Sequence, residues 1–294
     1  MTQFIRNQFS KIIAFGNSYS DNGEANRISK DVMKRLPTKK DIYMKPGGAL
    51  YWNNRYSDGY TSVEVLAQML NIDVINFATG GATSGRKNYT DWMDAFEETG
   101  VLAQVDKYEN SLERGMTDED ALYFIFPFEN DYFKYVDFNE STSLEHLCDT
   151  ALQNVVLAVR HLISIKAKKF FIVGCSNLAL VPYEQMMQRT VYAGKFRDYI
   201  NNNLPDVLQP FKELNNVQIV IFDHVKASED ILKSSENGIC NYKEACQVTY
   251  PEVLHVRECP EQFYFWDEWH FSKAAHKLFG KDMYKKIALF DWKS

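Results

Sequence analysis

The chain has 294 residues, of which 45% are apolar and 24% charged, enough for one substantial hydrophobic core and close to the upper limit of what a single core fills. With 33 basic against 39 acidic residues the formal net charge is -6, and the aromatics do not interleave with a basic stripe, so nucleic acid is excluded as a partner. No apolar run approaches the ~18 to 20 residues that a membrane helix needs, and no block recurs at solenoid spacing.

The first predicted strand is KIIAFG, residues 11–16, ending at Asn17 and Ser18. Further β-rich runs follow at 73–78 (DVINFA), 121–128 (ALYFIFPF), 168–174 (KKFFIVG) and 217–222 (VQIVIF). Their nearly continuous apolar character, without alternation, is that of strands covered on both faces in a parallel sheet. Helix-length segments separate them. SVEVLAQML (62–70) puts Val63, Leu66 and Leu70 on one face, and 143–165, 192–204 and 272–290 carry similar stripes. This alternation predicts one domain over residues 1–294, of α/β class, with three α/β/α layers around a parallel sheet of about five strands. Residues 22–60 and 228–268 are too long for ordinary connections and are expected to be loop insertions that wall a substrate site.

The chemistry-bearing groups fall just after predicted strands. Gly16 permits a tight exit from the first strand, and the Ser18 hydroxyl then faces the crevice beyond the carboxyl end of the sheet. The competing reading makes Ser18 a helix cap with Asp21 as its capping partner. At the far end of the chain, Trp266-Asp267-Glu268-Trp269-His270 offers an imidazole and a carboxylate three residues apart. His270 can take a proton from Ser18 through one ring nitrogen while the other donates to Asp267. Asp223-His224 is the rival pair, whereas His146, His161 and His276 are expected to be structural. Oxyanion donors are available from the Ser18 amide, from the Gly81 amide in Asn76-Phe77-Ala78-Thr79-Gly80-Gly81, and from the Asn130 carboxamide in Phe128-Glu129-Asn130-Asp131. The competing readings for the last two are a tight loop and a local turn cap.

These blocks, in this order, resemble the GDSL esterase/lipase family, the SGNH hydrolases. GNSYSD resembles the first family block and carries Ser18; NFATGGATS the second, with Gly81; FEND the third, with Asn130; and DEWH the fifth, with Asp267 and His270. Arg55, Ser57, Asp58 and Gly59 match a further segment after the first block. The resemblance spans residues 11–272 and implies a serine esterase in which Ser18, His270 and Asp267 are catalytic and Ser18, Gly81 and Asn130 form the oxyanion hole. Two departures stand out. Asn17 replaces the usual Asp before the nucleophile, and Phe128-Glu129 stands where the family has Gly and a variable residue. There is no G-x-S-x-G elbow, which argues against an α/β-hydrolase fold.

Such chemistry needs no metal and no redox cofactor. Tyr19, Tyr51, Trp52, Tyr56, Phe128, Trp266 and Trp269 lie near the motifs and point to an aromatic-lined groove for an acyl chain. The pattern looks most like the bacterial lipase, lysophospholipase and lipid acyltransferase branch, so a lysophospholipid or other glycerophospholipid is the expected substrate, with peripheral membrane contact. A carbohydrate O-acetyl esterase, a lipid acyltransferase and a catalytically silent lipid- or carbohydrate-binding module are the alternatives. Cys240, Cys246 and Cys259 lie within 20 residues of one another and admit one local disulfide or free thiols; without a CxxC pair they argue against zinc. Export after removal of an upstream signal and a cytoplasmic location both remain open, as does the oligomeric state.

Overall fold

The structure, a computed structural model, describes residues 8–47, 50–113, 117–250 and 255–293. Gly48, in the first long connection, lies outside these residues.

Five strands build the central sheet: β1 (Lys11–Gly16), β2 (Asp73–Asn76), β3 (Leu122–Phe126), β4 (Lys169–Val173) and β5 (Gln218–Phe222). They pair in the order β2-β1-β3-β4-β5, and every pairing is parallel. β3 and β4 are buried at every position, as helices on both faces require, whereas β2 at the edge is only partly covered. The α/β/α expectation with about five parallel strands holds. The order reverses beside β1, so the loops after β1 and β3 diverge around a crevice, the usual ligand position in open α/β sheets.

The helices are α1 (Glu24–Arg35), α2 (Ser62–Leu70), α3 (Val101–Asn110), α4 (Glu129–Asp137), α5 (Leu144–Ser164), α6 (Pro182–Met186), α7 (Thr190–Lys212), α8 (His224–Lys233) and α9 (Lys273–Leu289). Local chemistry fixes several ends. A capping box between Thr61 and Glu64 starts α2, and Asn71 in the left-handed region (φ 58°) stops it. Ser143 and Ser272 cap α5 and α9 by accepting the amides of His146 and Ala275.

Two expectations need correction. The stretch 22–60 is not a loop throughout: Ala25, Ile28 and Val32 recur on one face and fold residues 24–35 into α1, which packs on Trp92 and Met93. The helix expected over 192–204 runs on through Pro205 and Pro210 to Lys212. Both prolines sit on the exposed face, while Phe196, Ile200, Leu204 and Leu208 continue the buried stripe, so packing overrides the lost amides. The second long connection also contains the end of α8 and the short strands β6 (Asn241–Ala245), β7 (Gln247–Val248), β8 (His255–Val256) and β9 (Phe263–Phe265). No disulfide forms: all five cysteines are free, with Cys246 buried and Cys240 and Cys259 exposed.

His224 at the start of α8 is enclosed by aromatic rings, with centroids 4.0 Å from Phe279 and 5.3 Å from both Phe126 and Phe271, and neither ring nitrogen has a hydrogen-bond partner among the described residues. Burial, reinforced by neighbouring His276, pushes its pKa down to about 3. The unfolded chain therefore binds more protons than the native one between about pH 3 and 6.5, and His224 lowers stability as pH falls through that window. Asp21 and Asp131, raised by burial to about 6 and about 7, act in the opposite sense above the usual carboxylate range. His224→Phe should be worth roughly 1 kcal/mol at pH 7, from relieving unpaired nitrogens, and more at pH 5. Thermal unfolding of both proteins at a series of pH values checks this; a Tm difference that does not grow on acidification would contradict a neutral, buried His224.

Candidate active site

The loop after β1 places Ser18 at the crevice. Gly16 is required there because a Cβ would lie 2.7 Å from the Phe126 carbonyl oxygen on β3. Gln104 of α3 holds the same residue at both backbone groups, accepting its N–H (2.8 Å) and donating to its C=O (2.9 Å). Ser18 does not cap α1. Asp21 does so, accepting the amides of Gly23, Glu24 and Ala25 and also that of Gly80 in the loop after β2. One buried carboxylate thus ties the first two motif loops together.

The segment between β9 and α9 brings the far end of the chain to the same point. His270 Nε2 lies 2.9 Å from Ser18 Oγ, and its Nδ1 lies 2.8 Å from both carboxylate oxygens of Asp267. With Asp267 ionised the proton resides on Nδ1, which leaves Nε2 as the acceptor for the Ser18 hydroxyl. Burial alone would raise the Asp267 pKa, but the adjacent His270, a hydrogen bond from Tyr51 and the Trp269 amide outweigh it and hold the group below the ordinary carboxylate value. The Tyr51 hydroxyl donates to Oδ2 at 2.7 Å, and the amides of Trp269 and His270 donate to Oδ1 at 2.8 and 2.7 Å.

Ser57 and Asp58 dock this segment, and none of Arg55, Ser57, Asp58 and Gly59 lines the pocket. Arg55 pairs with Glu64 of α2 (2.6 Å), Ser57 donates to the Phe271 carbonyl (3.0 Å), and Asp58 accepts the Lys273 amide at the start of α9. The rival pair is separated: Asp223 caps α8 through the Lys226 amide, and His224 lies among phenylalanines. His276 is a buried packing residue whose Nδ1 faces Ser62, and His161 contacts Glu109.

Gly81 and Asn130 line the same pocket as Ser18 and His270. Gly81 has φ +83°, and a Cβ there would meet Asn88 Oδ1 at 2.3 Å, so only glycine presents its amide at this point. Among the described hydrogen bonds the Ser18 and Gly81 amides donate to no protein acceptor. Asn130, in the first turn of α4, donates one Nδ2 hydrogen to the Ala82 carbonyl (3.0 Å) and keeps the other. Its neighbour Asp131 accepts both the amide and the hydroxyl of Ser84, at 2.8 and 2.7 Å, clamping the Gly81 loop onto α4. Three donor-bearing residues therefore line the pocket that holds a hydroxyl–imidazole–carboxylate chain, a set of groups able to carry out acyl transfer.

The two sequence departures find physical reasons. Phe128 does not wall the pocket; it is wholly buried in the main core. Glu129 lines the pocket and is buried there, accepting Asn17 Nδ2 at 2.7 Å and the Ser176 amide at 2.9 Å, while Asn17 Oδ1 accepts the Tyr19 amide. An aspartate at position 17 would set two carboxylates in contact, so Asn17 and Glu129 form a matched pair across the nucleophile loop. Burial raises the Glu129 pKa against the pull of these donors.

The pocket has a volume of about 340 Å³. Tyr43, Lys45 and Tyr56 enter its wall from 22–60 and Tyr250 from 228–268, joined by Tyr89, Phe133, Tyr183 and Trp269. Trp52 and Trp266 are not among its lining residues; Trp266 packs on Cys246 and Phe263 instead. Sequence reasoning passed over Lys45, Tyr89, Phe133 and Tyr183, whose local patterns carry no chemical signal.

The description GDSL-like Lipase/Acylhydrolase matches residues 12–283. A GDSL esterase/lipase of Arabidopsis thaliana is 23% identical over 97% of this chain and 86% of its own length. The thermolabile hemolysin of Vibrio parahaemolyticus is also 23% identical, over 94% of this chain and 63% of the hemolysin. Among solved structures, LAE5, an α/β hydrolase enzyme from the metagenome of Lake Arreo, covers 98% of this chain and all of its own with a TM-score of 0.52 and 12% identity, a likeness of fold.

Asn17→Asp should lower kcat/KM by about tenfold at pH 8, because a second buried carboxylate abuts Glu129. The variant's activity relative to wild type should rise as pH falls and a proton comes to be shared between the two, and Asn17→Asp/Glu129→Gln should recover most of the loss. Ester-hydrolysis pH profiles of the three proteins provide the check; equal loss at every pH would reject the charge conflict.

Proposed function

The chain belongs to the GDSL-like lipase/acylhydrolase family, the SGNH hydrolases, and is an esterase acting on carboxylic esters; from that premise we propose that Ser18 is its nucleophile, His270 its general base and acid, and Asp267 the group that orients His270. The observation that carries this reading is the unbroken contact from Ser18 Oγ through His270 to Asp267, 2.9 and 2.8 Å long.

Ser18 Oγ attacks the ester carbonyl carbon while His270 Nε2 takes its proton. The carbonyl oxygen becomes an oxyanion held by the Ser18 and Gly81 amides and the Asn130 carboxamide, donors already fixed by the Asp21 and Asp131 clamps. Collapse breaks the bond to the alkoxide, which leaves with the proton from Nε2. Water, losing its proton to the same nitrogen, then attacks acyl-Ser18 and frees the acid, and the serine is restored.

For the substrate, two readings have support. Among the described pocket-lining residues there is no Leu, Ile, Val or Met, and the apolar wall consists of aromatic faces, most of them tyrosine. Such faces stack sugar rings and accept short acyl groups, and about 340 Å³ is at the low end for small-molecule sites, which favours a short acyl group on a polar alcohol, as in a carbohydrate O-acetyl ester. The second reading is a lysophospholipid or related glycerophospholipid, its alkyl chain leaving the pocket for a lipid surface. A relative named a hemolysin supports it, since lysis of cells is an attack on membranes.

Ser18→Ala should lose at least about 10⁴-fold in kcat and form no acyl adduct by intact mass, while wild type accumulates one with a slow ester. A fully active Ser18→Ala would reject the mechanism. In a series of esters from acetyl to palmitoyl, kcat/KM falling with length supports the first substrate reading, and kcat/KM rising with length supports the second.

A further inference from the structure

Lys45 is the one lysine or arginine in the pocket wall, and its charge meets no opposite charge among the described residues. Its ammonium donates to Thr90 Oγ1 at 2.5 Å and lies 5.4 and 5.8 Å from the ring centroids of Tyr43 and Trp92. No carboxylate among the described residues pairs with it, although Asp137 in the same wall is answered by Arg189 at 2.7 Å. Thr90 satisfies one of the three ammonium hydrogens, and aromatic rings answer charge without accepting a full hydrogen bond. Burial accordingly pulls the Lys45 pKa down to about 8, with no neighbouring charge offsetting it.

A partly buried lysine without a counterion has lost some of its hydration, and that loss is offset when a ligand brings an anion to it. Lys45 lines the same pocket as Ser18 and His270, so the anion would belong to the molecule whose ester is being cleaved. We propose that Lys45 is a specificity-determining residue that selects esters whose alcohol carries an anionic group, a phosphate or a carboxylate, close to the scissile bond. This rests on the serine-esterase reading above and adds to it the charge of the substrate. The two substrate classes supply that anion differently: a glycerol phosphate in a lysophospholipid, a uronate in an acetylated sugar acid.

The test compares matched esters with wild type and Lys45→Met, each normalised to reactive enzyme by titration with a fluorophosphonate. One pair sets 1-acylglycerol 3-phosphate against the neutral monoacylglycerol of the same chain. The other sets an O-acetylated methyl glucuronoside against the O-acetylated methyl glucoside. Wild type is expected to prefer the anionic member of at least one pair by about tenfold or more in kcat/KM, expressed mainly in KM, and Lys45→Met should bring that ratio close to one. The responding pair identifies the source of the anion. A wild-type ratio near one in both pairs, or a ratio unchanged in Lys45→Met, would overturn the proposal. Failure of wild type to react with fluorophosphonate at Ser18 would instead overturn the underlying esterase mechanism.

Discussion

The contact between Ser18 and His270 joins residues 252 positions apart, and much of the molecule serves to make it at 2.9 Å. Neither partner sits inside a strand or helix, so neither is positioned by regular backbone hydrogen bonds. The Ser18 side is held through Gly16 by Gln104 and through Asn17 by Glu129. The His270 side is held by the four hydrogen bonds that Asp267 accepts from its surroundings and by the docking of Ser57 and Asp58 onto the start of α9. Tyr19 links the two halves directly, its hydroxyl donating to the Trp269 carbonyl at 2.9 Å. Closing so long a loop carries an entropic cost that no single hydrogen bond offsets; the sheet and the α2–α9 packing bring the ends together, and the polar contacts set the last ångström.

Buried carboxylates do much of that setting. Asp21 accepts four amides from two loops, and Asp131 accepts two groups from the Gly81 loop. A buried carboxylate with good donors on both oxygens is rigid, because any displacement leaves a desolvated charge short of partners. The donors that face the reacting oxygen inherit this rigidity, which is what pre-organisation requires: the amides are paid for by the fold before substrate arrives.

The groups the structure assembles were legible in the sequence to the extent that they lie in contiguous blocks at strand ends. Nearly continuous apolar runs announce buried parallel strands, and in such a sheet the residues just past each strand must share one edge. That places Ser18, Gly81 and Asn130 together from sequence alone, and the Asp267-His270 spacing suits a single turn. Side-chain partners from distant segments left no such trace. The hydrogen bond from Tyr51 to Asp267 spans 216 residues, and nothing in YWNNRY marks that hydroxyl. Asn17 and Glu129 each looked like an isolated departure; only their contact, 112 residues apart in sequence, shows that one requires the other. The helix over 24–35 was hidden differently, by a dense charged face that masks three well-spaced apolar residues.

The pocket wall obeys a separate logic from the chemistry. The reacting groups and their donors come from short loops tied to the sheet, where a change of one residue disturbs several hydrogen bonds. Part of the wall comes from long segments outside it, which contribute Tyr43, Lys45, Tyr56 and Tyr250 beside Phe133 of α4 and Tyr183 of α6. Substitution there leaves the sheet and its edge intact, so one reaction can be fitted to many esters. Family order in the motifs therefore identifies the bond that is cleaved and says little about the molecule that contains it. Lys45 belongs to this part of the molecule: a partly exposed cation held by Thr90 Oγ1 and by the faces of Tyr43 and Trp92, it lies outside every motif block that marks the chemistry.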